Sequence, residues 1–146
     1  MKEKKYIPAL RFRWLTPFYD TLVNITMPEK KIKMELIMQA DIATGHTVLD
    51  FGCGTATLSI MTKQMHPNAR VTGIDVDRKI LNRALNKIKE QKSDIFLLDY
   101  TGEKLPFKSG SFDRVISSLV FHHLDTESKK IALTEICRVL SNNGQL

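Results

Sequence analysis

The sequence predicts an α/β fold with a doubly wound parallel sheet, on three observations. Short continuous apolar runs, the pattern of strands buried on both faces, alternate with segments of helical periodicity. The first run enters a glycine-rich turn, Gly52-Cys53-Gly54, that opens a helix. An aspartate follows each of the next two runs, Asp75 and Asp99. Strand, helix, strand, helix implies right-handed crossovers and parallel pairing. A chain of 146 residues suits one domain able to bury a core without disulfides or metal.

The runs are Thr47 to Phe51, Val71 to Ile74, Ile95 to Leu98, and Val115 to Ser117 with its flanks. Between the first two, Thr55 to His66 places Leu58, Met61 and Met65 at helical spacing. Between the second and third, Ile80, Leu81, Ala84, Leu85 and Ile88 form one stripe from Asp77 to Gln91, with Asp77 as its cap. After the fourth, a helix from Thr126 to Leu140 turns Ala132, Leu133, Ile136, Cys137, Val139 and Leu140 inward, capped by Asp125 or Thr126. Asn142-Asn143-Gly144 supplies turn chemistry, and Gln145 and Leu146 begin a fifth strand. A sheet cut short is expected, with the outer edge of the fourth strand unpaired and a candidate homodimer surface.

Residues 1–40 read as an N-terminal helical and aromatic segment, and 41–146 as the core. Thr26-Met27-Pro28-Glu29 is a capping box for a helix through Ala40. Ahead of it, Tyr6, Phe12, Trp14, Phe18 and Tyr19 gather five of the chain's eleven aromatics, as a helix packed on the sheet or as a lid over a ligand.

Composition excludes several classes. With 42% apolar and 26% charged residues the chain is neither fibrous nor disordered. No apolar run approaches the ~20 residues of a membrane span, and the basic start lacks a signal-peptide core. Two cysteines, Cys53 and Cys137, offer no disulfide framework and no metal spacing, so a reduced, cytoplasmic protein is expected. The net charge of +6 comes from lysines scattered along the chain, the pattern of solvated helix faces, and does not favour nucleic acid.

The chemistry lies at the strand ends, which share one edge of a parallel sheet. Gly52 and Gly54 let the backbone approach a ligand, and the helix after them offers free N–H groups to an anionic group. Thr57 stands where a dinucleotide fingerprint has its third glycine, which disfavours a nicotinamide cofactor. Asp75, at the end of the second strand, suits a ribose diol. Asp99, with Tyr100 and Thr101, suits either an adenine amino group or a turn before Gly102. Ser117-Ser118-Leu119-Val120-Phe121-His122-His123 closes the fourth strand. His122 and His123 are candidates for a base, or loop histidines packed near the next helix.

These motifs, in order with Leu15-Thr16-Pro17-Phe18-Tyr19-Asp20, Leu105-Pro106-Phe107, Ser111-Phe112-Asp113-Arg114-Val115-Ile116 and Glu135-Ile136-Cys137-Arg138-Val139-Leu140, resemble the class I S-adenosylmethionine-dependent methyltransferases. The similar group includes enzymes of ubiquinone and menaquinone biosynthesis. The resemblance covers residues 16–144 and implies a Rossmann-like fold with S-adenosylmethionine as cofactor and S-adenosylhomocysteine as product. It implies that Asp50, Phe51, Gly52, Cys53, Gly54 and Thr55 surround the methionine end and that Asp75 holds the ribose. Val76 and Asp99 to Thr101 then lie at the adenine end, Ser117 beneath the sulfonium, and Tyr19 over the cofactor. Ala56 replaces the third motif glycine, Thr101 stands where relatives often carry an acid, and Asn142-Asn143-Gly144 replaces a Pro-Gly-Gly turn. The family's seven strands imply that its last three are absent. The absence of an Asn/Asp-Pro-Pro-aromatic motif after the fourth strand argues against methylation of exocyclic amines on nucleic-acid bases or glutamine, and the aromatic front segment suggests an aromatic, quinone-like or lipid-like small-molecule acceptor. A non-catalytic cofactor-binding fragment or subunit is the alternative, and an NAD-dependent enzyme the third reading.

Overall fold

The computed structural model describes residues 29–146. Lys33–Leu146 forms one compact unit, and every contact discussed below lies within it. In chain order the elements are α1 (Glu29–Gln39), β1 (Thr47–Phe51), α2 (Thr57–Met65), β2 (Arg70–Asp75), α3 (Arg78–Glu90), β3 (Ile95–Asp99), β4 (Phe112–Ile116), a 3-10 turn (Phe121–His123), α4 (Thr126–Val139) and β5 (Leu140–Gln145). The sheet runs β3-β2-β1-β4-β5 with all neighbours parallel, the expected doubly wound architecture.

Alternation along β1 builds both layers. Val48 packs with Ile37 of α1, Leu58 of α2, Val71 and Ile116. Leu49 and Phe51 point to the other face, with Ile74, Leu105, Val115 and Ala132, Ile136 and Val139 of α4. Ile60 of α2 meets Ala84 and Ile88 of α3 in a third cluster. The caps fall where expected: Asp77 accepts from the Lys79 and Ile80 amides, and Asp125 from Ser128. Asp113 and Arg114 have structural duties here. Asp113 accepts from both the amide and the hydroxyl of Thr47 (2.9 and 2.8 Å), joining the starts of β4 and β1. Arg114 donates to the Ala40 and Asp41 carbonyls just beyond the last turn of α1.

The structure departs from the sequence reading in three places. First, the fifth strand spans Leu140–Gln145 and starts directly from α4, because Leu140 is already extended (φ −67°, ψ 138°). Between the pairs Phe112–Leu140 and Arg114–Gln145, β4 advances two residues and β5 five, so Asn142-Asn143-Gly144 forms a bulge inside the strand. A Cβ at Gly144 would come within 2.8 Å of the Leu140 side chain, which explains the glycine. The edge of β4 is therefore paired, and the sheet's outer strands are β3 and β5.

Second, Cys137 and Leu133 do not face the core: Cys137 is exposed, and Leu133 is 42% exposed. Ala132, Ile136 and Val139 form the inner face. Third, Met65 and Leu85 also lie outward. Among the described residues no helix is long and apolar enough to cross a membrane. The aromatic cluster of residues 6–19 and the residues 26–28 of the capping box lie outside the described residues.

Candidate functional site

Parallel pairing brings the C-terminal ends of β1, β2, β3 and β4 to one edge, where this class of sheet binds ligands. The turn after β1 is shaped by two glycines with different reasons for being glycine. Gly52 has φ +72°, and a Cβ there would lie 2.2 Å from a Val120 methyl carbon, so the segment after β4 presses directly onto its backbone. Gly54 has φ +53° and faces open space. Ala56 is also left-handed (φ 59°) and precedes α2, which starts at Thr57 without a side-chain cap. The first amides of α2 therefore have no side-chain acceptor at the cap.

Backbone amides fasten this turn to the end of β2. Gly54 N–H donates to Asp75 Oδ2 (2.9 Å), Asp77 N–H to Asp75 Oδ1 (3.0 Å), and Cys53 N–H to the Ile74 carbonyl (2.8 Å). The glycine motif and Asp75 thus share one site. Cys53 is buried against Gly73, where a Cβ would meet its sulfur at 2.9 Å. Burial, reinforced by the negative Asp50 and Asp75, pushes its thiol well above the usual range, so it remains protonated.

Asp50 is buried beneath the turn, 1% exposed. Its Oδ2 accepts from the Ser59 hydroxyl at 2.6 Å, while its Oδ1 has no hydrogen-bond partner among the described residues. Burial raises its pKa to about 6, against the pull of the Ser59 hydrogen bond and the positive charge of Lys33. Neither Ser59 nor Lys33 stood out in the sequence. The available signal was Ser59 and Thr62, two small hydroxyl residues on the inward face of α2, both fully buried.

Asp99 lies beside Asp75 in the strand register and 3.9 Å from the Arg78 guanidinium, with both partners exposed. Tyr100 turns inward with its ring 6.0 Å from that of Phe51, and burial and the Asp75 charge push its hydroxyl up to about 12. Thr101 is exposed, and so is Val76. On the β4 side, Ser117 donates to the Phe51 carbonyl (2.9 Å) and the Phe121 ring stacks on Phe51 at 5.8 Å.

His122 and His123 are exposed on the 3-10 turn, their rings 3.7 Å apart. His123 is held below the usual imidazole range by burial and by its neighbour's charge. The strand ends thus gather Asp50, Phe51, Gly52 to Thr55, Asp75, Tyr100 and Ser117, with Val76, Asp99, Thr101 and the histidines toward solvent. Tyr19 lies outside the described residues. No cluster of three or more His, Cys, Asp or Glu among the described residues is arranged to hold a metal ion.

Comparison with known proteins yields a consistent result. The chain is 26% identical over 148 residues to an uncharacterized methyltransferase of Bacillus licheniformis, covering 98% of this chain and 66% of that protein. It is 31% identical over 139 residues to the demethylmenaquinone methyltransferase of Listeria welshimeri, covering 92% of this chain and 58% of that protein. The chain therefore spans about three fifths to two thirds of the length of these curated relatives. Among solved structures, a SAM-dependent methyltransferase from Aquifex aeolicus superimposes with TM-score 0.67 at 25% identity, covering 75% of this chain and 58% of that one. A 4+2 cyclase, SpnF, shares the fold at TM-score 0.69 and 21% identity, over 76% of this chain and 40% of that one. A shared fold alone therefore does not fix the reaction. Residues 48–144, the part that carries the glycine turn and all the strand ends, match the family described as a methyltransferase domain, and the chain belongs to that family.

Proposed function

We propose that this chain binds S-adenosylmethionine at the strand ends and serves methyl transfer to an aromatic, quinone-like or lipid-like small molecule. The observation that carries the reading is the Gly54–Asp75 hydrogen bond, which joins the glycine turn and the carboxylate at the end of β2 in one site. The residues fit the cofactor chemically. Asp50 offers an unpartnered buried carboxylate oxygen for a ligand ammonium. The uncapped start of α2 offers amides for a ligand carboxylate, and Gly54 opens onto unfilled space.

In this reading Asp50, Phe51 and Gly52 to Thr55 surround the methionine end, and Asp75 accepts from the ribose diol while keeping its two backbone amides. Val76, Tyr100, Asp99 and Thr101 border the adenine, Ser117 forms the wall beneath the sulfonium, and Tyr19 belongs to the segment that would cover it. The cofactor supplies an activated methyl group. The protein then contributes mainly proximity and orientation, which can reach ~7–11 kcal/mol in favourable systems. His123, kept neutral near pH 7 by its lowered pKa, carries an imidazole nitrogen able to take an acceptor proton. The name of the Listeria relative supports a quinone-like acceptor.

Calorimetric titration with S-adenosylmethionine and S-adenosylhomocysteine, followed by turnover of short-chain reduced demethylmenaquinone, tests the reading. Binding of both ligands and methylation of the quinol are expected; a folded chain that binds neither ligand overturns it. Binding without turnover selects the second reading, a cofactor-binding part of a longer or multi-chain enzyme. That reading is favoured by the 58% coverage of the Listeria protein.

A further inference from the structure

We propose that the outer face of α3 is a docking surface for an anionic lipid bilayer, held by Lys79, Arg83 and Lys89 with the exposed Leu85 among them. The choice of a bilayer rests in part on the lipid-like acceptor of the reading above.

Cations are spread along the sequence, but the fold concentrates their excess on one helix. α3 carries Arg78, Lys79, Arg83, Lys87 and Lys89 against a single acid, Glu90. The rest of residues 33–146 holds ten cations and twelve acids, so α3 alone makes this unit positive. Among the described residues no other helix exceeds a net charge of +1.

Three observations fix how the helix is turned. Leu81, Ala84 and Ile88 fill its inner stripe. Lys87 Nζ donates to Thr57 Oγ1 (2.7 Å), so the flank that carries Lys87 faces α2. Arg78, on the other flank, lies 3.9 Å from Asp99 at the end of β3, the outermost strand on that side. Arg78, Leu85 and Lys89, spaced seven and four residues apart, share this flank, and Leu85 is 41% exposed there. Lys79 and Arg83, four apart, form a second exposed row between the flanks. Because the sheet ends at β3, α3 is a corner element that can meet a flat surface along its length. From Arg78 to Lys89 its cations extend over about 16 Å. Cations repeated along a helix around an exposed apolar side chain complement negative headgroups lying above hydrocarbon. A nucleic acid fits this face less well, because α3 has no aromatic side chain to stack a base. Arg78 starts the helix at the strand ends, so docking brings the edge that carries the proposed site to the lipid surface.

The test is co-sedimentation with sucrose-loaded phosphatidylcholine vesicles, with and without phosphatidylglycerol, at low and physiological salt. The wild type is expected to bind only the vesicles containing phosphatidylglycerol, and more weakly as salt rises. The triple variant Lys79→Gln, Arg83→Gln, Lys89→Gln should partition at least about tenfold more weakly, and Leu85→Gln about threefold. A control triple, Lys104→Gln, Lys108→Gln, Lys130→Gln, removes the same charge from exposed positions elsewhere and should stay within about twofold of wild type. Thermal melts of every variant confirm that each is folded. Absence of phosphatidylglycerol-dependent binding in the wild type, or equal losses in the two triple variants, overturns the proposal. So does tighter binding to poly(U) RNA that Leu85→Gln leaves unchanged, which assigns the face to RNA. Vesicle binding by a chain that binds no S-adenosylhomocysteine supports the surface and overturns the functional reading. S-adenosylhomocysteine binding without vesicle binding supports that reading and overturns the surface.

Discussion

Arg138 clasps Glu135 one turn earlier in α4, with Nη2–Oε2 and Nε–Oε1 separations of 2.6 and 2.8 Å. The pair also reaches across to the loop before β4. Glu135 Oε2 accepts from the Leu105 amide, and Arg138 donates to the Leu105 and Phe107 carbonyls. The Leu105-Pro106-Phe107 and Glu135–Arg138 motifs, far apart in sequence, are thus two halves of one clamp. It seats Leu105 in the core beside Phe51 and Ile74, the ends of the two strands that carry the site.

Glu135→Gln should cost about 2 kcal/mol, the loss expected when hydrogen bonds to a charged partner become neutral ones. Urea denaturation reads this as a lower midpoint with unchanged slope. The hydrogen bond from Arg138 holds Glu135 down to about 2. Its contribution is therefore complete above about pH 4.5 and lost as pH falls toward 2. Equal acid denaturation of wild type and variant would contradict the clamp.

Gly52 and Gly54 should respond differently to alanine. Gly52→Ala adds strain and a collision with Val120, together more than about 2 kcal/mol. Gly54→Ala adds strain alone, about 1 kcal/mol, because nothing lies within 4 Å of the new methyl. Adding Val120→Ala should recover part of the Gly52→Ala loss and none of the Gly54→Ala loss, a coupling that a double-mutant cycle in urea measures.

The parts of the fold legible in the sequence are those with local causes. Asp50 and the glycine turn announce themselves because strand and turn follow one another directly, and Asp75 because it closes the next apolar run, 21 residues beyond Gly54. Asp77 and Asp125 cap the helices they precede. What escaped depends on distant partners. The bulge of β5 is set by its pairing to Phe112 and Arg114, whereas the turn chemistry of Asn142-Asn143-Gly144 taken alone predicts a break before the strand. On α4, the stripes Ala132/Ile136/Val139 and Leu133/Cys137 are both apolar, and only packing against the distant core residues selects the first. The left-handed turn at Leu119 carries no glycine or asparagine to mark it.

Asp75 and Asp77 separate binding from capping. Asp75→Ala removes the acceptor proposed for the ribose diol and leaves the Gly54 and Asp77 amides without their carboxylate. S-adenosylhomocysteine should bind at least about tenfold more weakly, the loss of more than one net hydrogen bond. Asp77→Ala removes the cap of α3, about 1 kcal/mol of stability, with affinity nearly unchanged. Equal affinities in the two variants, by calorimetry, would sink the ribose assignment.

Asp50 gives the site a pH dependence opposite in sign to that of Glu135. Its folded pKa, raised to about 6 by burial, lies above the ordinary 3.8, so the native state holds the proton more tightly. Its contribution to stability is therefore greatest below about pH 4 and declines as pH rises to about 6. Asp50→Asn removes that decline, so the variant gains on the wild type across this window when stability is followed by urea titration at each pH. Ligand affinity should run the other way. A ligand ammonium prefers the carboxylate, so S-adenosylhomocysteine binding should be fully developed above about pH 6 and weaken below it, by no more than about tenfold per pH unit for one proton. Asp50→Asn should flatten that profile and bind weakly throughout. A wild-type affinity constant from pH 5 to 7.5, or undiminished binding by Asp50→Asn, would remove Asp50 from the methionine end of the site.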